Sequence, residues 1–266
     1  MLLTRPTRLP RLLACILLWL AASAWAQPQA LRLAFSELEP WMTQQDGRYA
    51  GAYTEIVREL ARRLGLPLQV IDCPFKRCLK LMEVGEADLI IGARQSPQRM
   101  AYLHYLATPY RRTSADRVFI LRADDPRRPG RYEDLSGLRI GVASGSDYFA
   151  RFDADTTLLK DTAPNNESSL RKLLLGRVDC IVLPEDQALA LLGQLGVQDQ
   201  VALAPLRVAD RTPRAIALSR RSPLLNRLPA IERAMRELRE DGTLAAIYDR
   251  HYYQRYRVSR QRLPID

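Results

Sequence analysis

The stretch at residues 85–110, GEADLIIGARQSPQRMAYLHYLATPY, joins an apolar run directly to a group of hydrogen-bonding side chains. Leu89, Ile90 and Ile91 form a short apolar run, which predicts a buried strand over residues 87–92. Arg94, Ser96 and Arg99 follow at once, so this strand delivers two guanidiniums and a hydroxyl to one edge of a sheet. Guanidiniums bind carboxylates through charge-assisted hydrogen bonds. The stretch therefore predicts a site for a carboxylate or another small polar ligand, and binding before catalysis.

Strands and helices alternate around this stretch. Residues 31–35 and 68–71 have the pattern of strands, and apolar residues recur at helical spacing over residues 56–64. A second helix is expected at residues 76–84, where Gly85 ends it. Repeated βα units favour an α/β fold with a mostly parallel sheet and helices on both faces.

A second series of similar size follows. Three further strands are predicted, at residues 117–121, 138–143 and 178–183. Ser144-Gly-Ser146 is expected to turn into a short helix, and Asn165 and Asn166 can cap another helix that runs to Leu175. Residues 224–253 are expected to be helical. The two series predict two lobes.

The first 26 residues have the pattern of a secretory signal peptide. Three arginines precede an apolar run at residues 12–25, and Ala24-Trp25-Ala26 fits a cleavage site. A membrane anchor is the alternative, but the run is shorter than the roughly 20 residues that a spanning helix needs. Lipidation at Cys15 is a further alternative, although most of the apolar core comes after that cysteine. The mature protein is expected to begin near Gln27 and to be periplasmic.

Charge and size exclude few functions, but the distribution of charge argues against a nucleic-acid-binding protein. Removing residues 1–26 takes away three arginines and no acids, which leaves 37 basic and 30 acidic residues and a net charge of +7. These charges are scattered, with no dense basic block, as on an ordinary soluble surface. About 240 residues can bury a large core as one domain or as two lobes.

Two of the cysteines lie close together, in Cys73-Pro-Phe-Lys-Arg-Cys78. Export to an oxidising compartment makes a disulfide between them the first expectation, and its role would be to fix a strand-to-helix turn. Cys180 lies in an apolar run and is expected to be a buried thiol. With only His104 and His251 as histidines, we predict no metal site and no cofactor.

The order of several short motifs resembles the bacterial extracellular solute-binding proteins of family 3, the periplasmic components of polar amino-acid uptake systems. The resemblance covers residues 31–253. Its motifs in the first lobe and the tail are Pro40-Trp41, GAYTEI (51–56), GEAD (85–88), SPQR (96–99), TPY (108–110), LREDGT (238–243) and Tyr252-Tyr253. Those in the second lobe are DLSGLRIG (134–141), SGS (144–146) and GRVD (176–179). Each motif is weak alone, but their order and spacing are fairly specific.

The resemblance implies the type II periplasmic binding fold. Two α/β lobes would be joined by two crossover strands that act as a hinge, and ligand would be captured in the cleft. Lobe 1 would comprise residues 27–116 and 213–266, and lobe 2 residues 117–212. The protein would act as a monomer that delivers a small polar solute, an amino acid or a related carboxylate, to the membrane components of an ABC transporter.

The resemblance also implies which residues bind the ligand. Arg99 matches the family's carboxylate-binding arginine, and Ser96 before it would line the same pocket. In lobe 2, Gly145 and Ser146 would offer backbone N–H groups at a helix start. Two alternatives remain: Arg99 is an exposed charge or a partner of Asp116, and Ser146 is a simple helix cap.

Aromatic residues would form a flat wall of the cleft. Trp41, which follows Pro40 in a loop, and Tyr53 are the candidates, although either could instead be ordinary core. Arg94 lies where relatives often carry small residues. If Arg94 faces the cleft, a ligand with more than one anionic group is expected.

Two departures from the family pattern concern the ligand. The segment at residues 88–99 is one residue shorter than in typical amino-acid binders. Relatives that bind an α-amino group usually have an aspartate near the position of Pro184, which Glu185 and Asp186 follow here. Glu185 could take over the ammonium contact, or both acids could simply suit a helix start.

We predict no enzymatic activity, with two alternative functions. The same fold hosts a periplasmic dehydratase that makes aromatic amino acids, for which Glu185 or His104 would be the general acid. The other alternative is an accessory protein that reports ligand to a membrane receptor.

Overall fold

The computed structural model describes residues 30–261 and Ile265. The predicted signal peptide, residues 1–26, lies outside the described residues. Within the part of the chain that is described, no helix is both long enough and apolar enough to span a bilayer.

Twelve strands occur in the described residues. In chain order they are β1 Leu31–Phe35, β2 Thr43–Gln45, β3 Arg48–Ala50, β4 Leu68–Asp72, β5 Leu89–Ile90, β6 Leu103–Tyr105, β7 Arg117–Arg122, β8 Arg139–Ala143, β9 Leu159–Ala163, β10 Cys180–Pro184, β11 Val201–Val208 and β12 Ala217–Ser219. The longer helices are Ala52–Arg63, Phe75–Val84, Asn166–Leu174, Glu185–Leu195 and Leu228–Glu240. Shorter ones are Pro97–Met100, Ala150–Ala154, Thr243–Tyr248 and Gln254–Tyr256, with a π-helical turn at Asp249–Tyr253 and 3₁₀ turns at Tyr132–Leu135, Gln198–Gln200 and Pro223–Arg227.

The strands form two five-stranded sheets and one small hairpin. The first sheet has the order β4-β1-β5-β12-β6, the second has the order β11-β7-β10-β8-β9, and β2 pairs with β3. In the first sheet β1 is parallel to β4 and β5, while β12 is antiparallel to β5 and β6. In the second sheet β8 is parallel to β9 and β10, while β7 is antiparallel to β10 and β11. The predicted two-lobed α/β architecture is confirmed.

Both faces of the first sheet are covered. Leu31, Leu33 and Phe35 of β1 belong to one buried cluster, whereas the intervening Ala34 belongs to another. Successive strand residues point to opposite faces, so β1 contributes to two cores. This double covering is what mostly parallel strands with βα crossovers require.

The chain passes between the lobes twice, and the two passages contact each other. Arg111 of the first and Arg214 of the second form an antiparallel bridge. The Arg214 N–H donates to the Arg111 carbonyl at 2.8 Å, and the Tyr110 N–H donates to the Arg214 carbonyl at 2.8 Å. The strands of the first sheet thus lie before the first passage and after the second. The exact lobe boundaries given above stay a prediction.

One local prediction is confirmed and another is wrong. The disulfide between Cys73 and Cys78 is present, with the two Cα atoms 5.4 Å apart. The expected helix start at Ser146 is wrong, because the helix begins at Ala150. The Tyr148 N–H donates to the carboxylate of Asp153 at 3.0 Å, which holds the preceding loop outside the helix.

Cys180 is a buried free thiol, as expected. Burial raises the pKa of this thiol to about 12. A thiol with so high a pKa has almost no reactive thiolate at neutral pH, which fits a packing role.

Gly51, which precedes the helix Ala52–Arg63, provides a test of how closely the start of this helix packs against Trp41. Its φ is +102°, and a Cβ there would lie 2.4 Å from the carbonyl oxygen of Trp41. We expect Gly51→Ala to lower the free energy of unfolding by at least about 2 kcal/mol in urea titrations, because backbone strain and a clash add together.

Gly196→Ala is the matched control, with φ +65° and open space around the new methyl group. Its cost should be about 1 kcal/mol, from the left-handed conformation alone. Equal losses in the two variants would contradict the close approach at Gly51.

Candidate functional site

A cavity of about 490 Å³ lies between the two sheets. Its walls come from the segments that follow β1, β4 and β5 in the first lobe and β8, β9 and β10 in the second. Crevices outside the carboxyl ends of parallel strands are the usual ligand sites of α/β folds. Polar residues from both lobes line it, and they include Ser36, Glu37, Glu39, Asp72, Arg94, Arg99, Arg117, Ser144, Ser146, Asp147, Asn165, Glu167, Gln187 and Arg214.

Arg99 lies on the wall of this cavity and reaches from the first lobe to the second. Its Nη1 donates to the Arg94 carbonyl at 3.0 Å, and its Nη2 donates to the Gly145 carbonyl at 2.7 Å. The Asp147 carboxylate is 2.8 Å from Nη1. Asp116, the alternative partner, instead has Arg207 and Arg211 within 4.0 Å. The guanidinium is thus buried in contact with the opposite lobe.

An aromatic ring lies beside this guanidinium, but it is not the one expected. The Arg99 Cζ is 5.4 Å from the centre of the Phe75 ring, and Phe75 lines the cavity. Phe75 belongs to the loop that the Cys73–Cys78 disulfide closes. The covalent link therefore holds an aromatic wall as well as a turn.

Trp41 was expected on this wall, but the structure places it in the core of the first lobe. Its side chain is 1% exposed and stacks on Tyr53 and Tyr252, with ring centroids 5.1 and 4.4 Å away. Tyr53 is not among the residues that line the main cavity either. It lines a small adjoining void of about 20 Å³ together with Arg111 and Asp186. Aromatic stacking thus uses both rings for packing.

Of four other predicted residues, one lines the cavity and three make other contacts. Ser146 lines the cavity, and Gly145 offers Arg99 its carbonyl rather than an N–H. Ser96 caps the short helix Pro97–Met100 by accepting from the Arg99 N–H at 3.4 Å. Glu185 is buried in an ion pair with Arg207 and is not among the cavity-lining residues. The ammonium role expected for Glu185 therefore has no geometric support.

Arg94 faces the cleft, where it joins two arginines that the sequence had not singled out. The carboxylate of Asp210 lies 2.6 Å from Arg94 Nη1, 3.1 Å from Arg117 Nη2 and 3.8 Å from Arg214 Nη2. Burial and the charge of Arg214 lower the pKa of Arg94. Burial, with Arg214 and Arg94, lowers that of Arg117 to about 10. Burial alone would raise the pKa of Asp210, but Arg117 and Arg94 bring it below its usual value.

Acidic residues form another part of the cavity wall. Glu37 and Glu39 come from the first lobe and Glu167 from the second. The Tyr256 hydroxyl donates to Glu39 at 2.7 Å. Burial raises the pKa of Glu39, and the charges of Glu37 and Glu167 add to this effect against the hydrogen bond from Tyr256. The cavity wall thus carries charges of both signs.

A buried ion pair connects the first passage to the second lobe. Arg111 Nη1 lies 2.6 Å from the Asp186 carboxylate, and the two side chains are 6% and 2% exposed. The Arg111 Cζ also lies 4.9 Å from the Trp41 ring. Asp186 lies in the first turn of the helix Glu185–Leu195. This contact fixes where that helix meets the first lobe.

The residues that the sequence missed, Arg117, Asp210 and Arg214, lie at the passages between lobes. The sequence offered one indication of these residues, since Arg117 is the first residue of a predicted apolar strand. No group of three or more His, Cys, Asp or Glu side chains within residues 30–261 could hold a metal ion.

A two-lobed α/β fold with a charged cavity between the lobes is the architecture expected of a solute-binding protein. The model of the bacterial extracellular solute-binding proteins, family 3, matches residues 31–254, so the chain belongs to that family. The L-cystine-binding protein TcyJ of Escherichia coli (strain K12) is 22% identical over 209 residues, which is 78% of this chain and 76% of that protein.

Solved structures show the same fold. An ancestral arginine-binding protein bound to arginine has a TM-score of 0.72 and 21% identity, covering 84% of this chain and 98% of that one. The ancestral amino acid-binding protein AncCDT-1, a precursor of cyclohexadienyl dehydratase, has a TM-score of 0.68 and 18% identity, covering 84% and 94%.

The pair of Arg111 and Asp186 can be tested by Asp186→Asn. This change keeps the side-chain size but leaves the buried guanidinium without its counter-charge, so unfolding should become easier by about 3 kcal/mol in urea titrations. The control is Glu83→Gln, which removes the exposed pair with Lys80 and should cost less than about 1 kcal/mol. A loss for Asp186→Asn no larger than the control's would show that the pair does not hold the lobes together.

Proposed function

We propose that this protein is a non-catalytic periplasmic binding protein that captures a small, carboxylate-bearing, amino-acid-like solute for an ABC transporter. One observation carries the proposal: Arg99 lies on the wall of a polar interlobe cavity and contacts both lobes. The names of the relatives, which are those of cystine-binding and arginine-binding proteins, support a ligand of this class.

The cavity size supports a small ligand. A volume of about 490 Å³ falls within the range of roughly 300–1,000 Å³ typical of small-molecule sites. The ligand carboxylate would share Arg99 or displace Asp147, whose side chain is 37% exposed and is the more accessible partner of the pair. Phe75 would cover one face of the ligand.

Charges of both signs support a zwitterionic ligand. The acids that line the cavity are Glu37, Glu39, Asp72, Asp147 and Glu167. We assign the ammonium contact to this group instead of Glu185, which is paired with Arg207.

The placement of the candidate acids argues against catalysis. Glu185 is held in its ion pair, and His104 lies in β6, paired with Leu218 of β12. Neither residue is among those that line the cavity. A general acid must reach the proton that it transfers, directly or through one water.

Closure of the lobes would follow from ligand contacts on both sides. A ligand shifts a conformational equilibrium only by its difference in affinity for the two states. Arg99 from the first lobe and the loop around Ser146 from the second provide such contacts. We place the mature protein in the periplasm, released from the signal peptide at residues 1–26, and propose that it acts as a monomer without a cofactor.

Arg99→Ala tests the assignment. Thermal-shift screening of the protein against amino acids, dicarboxylates, polyamines and opines identifies a ligand first, since ligand at 100 times Kd stabilises by about 2.7 kcal/mol. Calorimetry with that ligand should then show affinity reduced at least about 30-fold in the variant, because a buried charge pair is lost.

Arg177→Ala is the control, since Arg177 is exposed and is not among the cavity-lining residues. It should bind like the parent protein. Unchanged affinity in Arg99→Ala would refute the proposal that Arg99 binds the ligand carboxylate.

A further inference from the structure

The cluster around Asp210 holds more positive charge than its own carboxylate can balance. Three guanidiniums, those of Arg94, Arg117 and Arg214, lie within 3.8 Å of that one group. Their side chains are 17%, 2% and 11% exposed. Buried charges are normally paired, because desolvation of an unbalanced charge is costly.

The excess remains when the wider neighbourhood is counted. Asp147 and Asp153 act on Arg94 at longer range, and Arg99 is paired with Asp147. Asp186 also acts on Arg117, but it is paired with Arg111. Five guanidiniums then face four carboxylates. An additional anion in the cavity would restore the balance.

Arg117 shows where that anion would bind. It lines the cavity with its side chain 2% exposed, and its Nη1 is buried without a hydrogen-bond partner among residues 30–261. Leaving a buried donor unsatisfied destabilises the folded protein, and the cost is larger when the group is charged. Native proteins seldom keep such a donor unless something outside the chain satisfies it.

The cluster adjoins the Arg99 grip. The Tyr148 carbonyl accepts from Arg94 Nη1 at 2.7 Å and from Arg117 Nε at 3.4 Å. Tyr148 directly follows Asp147, the partner of Arg99, and the Arg94 carbonyl accepts from Arg99 Nη1. The carboxylate position at Arg99 and the anion position at Arg117 are thus linked through Asp147, Tyr148 and Arg94, and both lie in one cavity.

We propose that Arg117, with Arg94 and Arg214, forms a second anion subsite, so that the ligand carries two anionic groups. The ligand class is small dicarboxylates, acidic amino acids included, with one group at Arg99 and the other at Arg117. This inference rests on the proposed function, since it assumes that the cavity binds solute. Arg94 belongs to the first sheet's side and Arg117 to the second, so an anion between them also favours closure.

Matched acids and amides test the inference. The protein is titrated by calorimetry with two pairs, L-glutamate with L-glutamine and L-aspartate with L-asparagine. Each acid should bind at least tenfold tighter than its amide, because the amide places no charge at Arg117. An amide that binds as tightly as its acid would overturn the second subsite.

Substitutions at Arg117 test whether this residue causes the preference for acids over amides. Arg117→Gln should remove most of the discrimination between acid and amide, and Arg117→Lys, which keeps the charge, should retain part of it. Arg177→Gln serves as control and should discriminate like the parent. Full discrimination in a folded Arg117→Gln protein would contradict the assignment.

A simpler anion separates this inference from the proposed function. Sodium sulfate, compared with sodium chloride at equal ionic strength, should raise the Tm of the parent protein more than that of Arg117→Gln. An equal rise in both would refute the subsite even where an amino acid binds at Arg99. Loss of binding in Arg99→Ala, combined with equal affinity for glutamate and glutamine, would uphold the proposed function and reject the second subsite.

Discussion

Guanidinium groups buried between the two lobes impose the constraint on which the arrangement of the cleft depends. A buried arginine keeps its charge and must find an acceptor, and here the acceptors come from the opposite lobe or from the passages between lobes. Arg99 uses Gly145 and Asp147, Arg94 uses Tyr148 and Asp210, and Arg111 uses Asp186. The position of one lobe relative to the other is therefore fixed by charge satisfaction rather than by a continuous apolar core.

The two sheets provide the rigid frame for these contacts. Their strands end at the cleft, so the segments that follow them carry most of the cavity-lining groups. The disulfide loop adds an aromatic wall through Phe75, while Trp41, Tyr53 and Tyr252 stack inside the first lobe and keep its core intact. Phe75 thus lines the cavity and also packs against the smaller buried cluster of the first lobe, whereas the three stacked rings are not among the cavity-lining residues.

The sequence predicted the alternation of strands and helices and the cleft position of Arg94 and Arg99, because both follow directly from a buried strand. It did not predict Arg117, Asp210 and Arg214, since these meet across the passages; Arg94 and Asp210 are 116 residues apart. Trp41 was misplaced because an aromatic residue after a proline is equally compatible with core and cleft. The predicted helix start at Ser146 was wrong because the Tyr148 N–H donates to the carboxylate of Asp153, five residues after Tyr148.

Charge balance also decides how this cleft would select among solutes. A neutral side chain in the cavity would leave the excess positive charge near Asp210 uncompensated, and a cationic side chain placed there would increase it. A second carboxylate would instead supply the missing acceptor for Arg117 and make contacts with both lobes. Selection against the wrong solute would then arise from a buried charge left without a partner, a larger penalty than any lost apolar contact of similar size. The ion pair of Arg94, which helps to hold the lobes together, and Arg117, which would choose the ligand, share the carboxylate of Asp210.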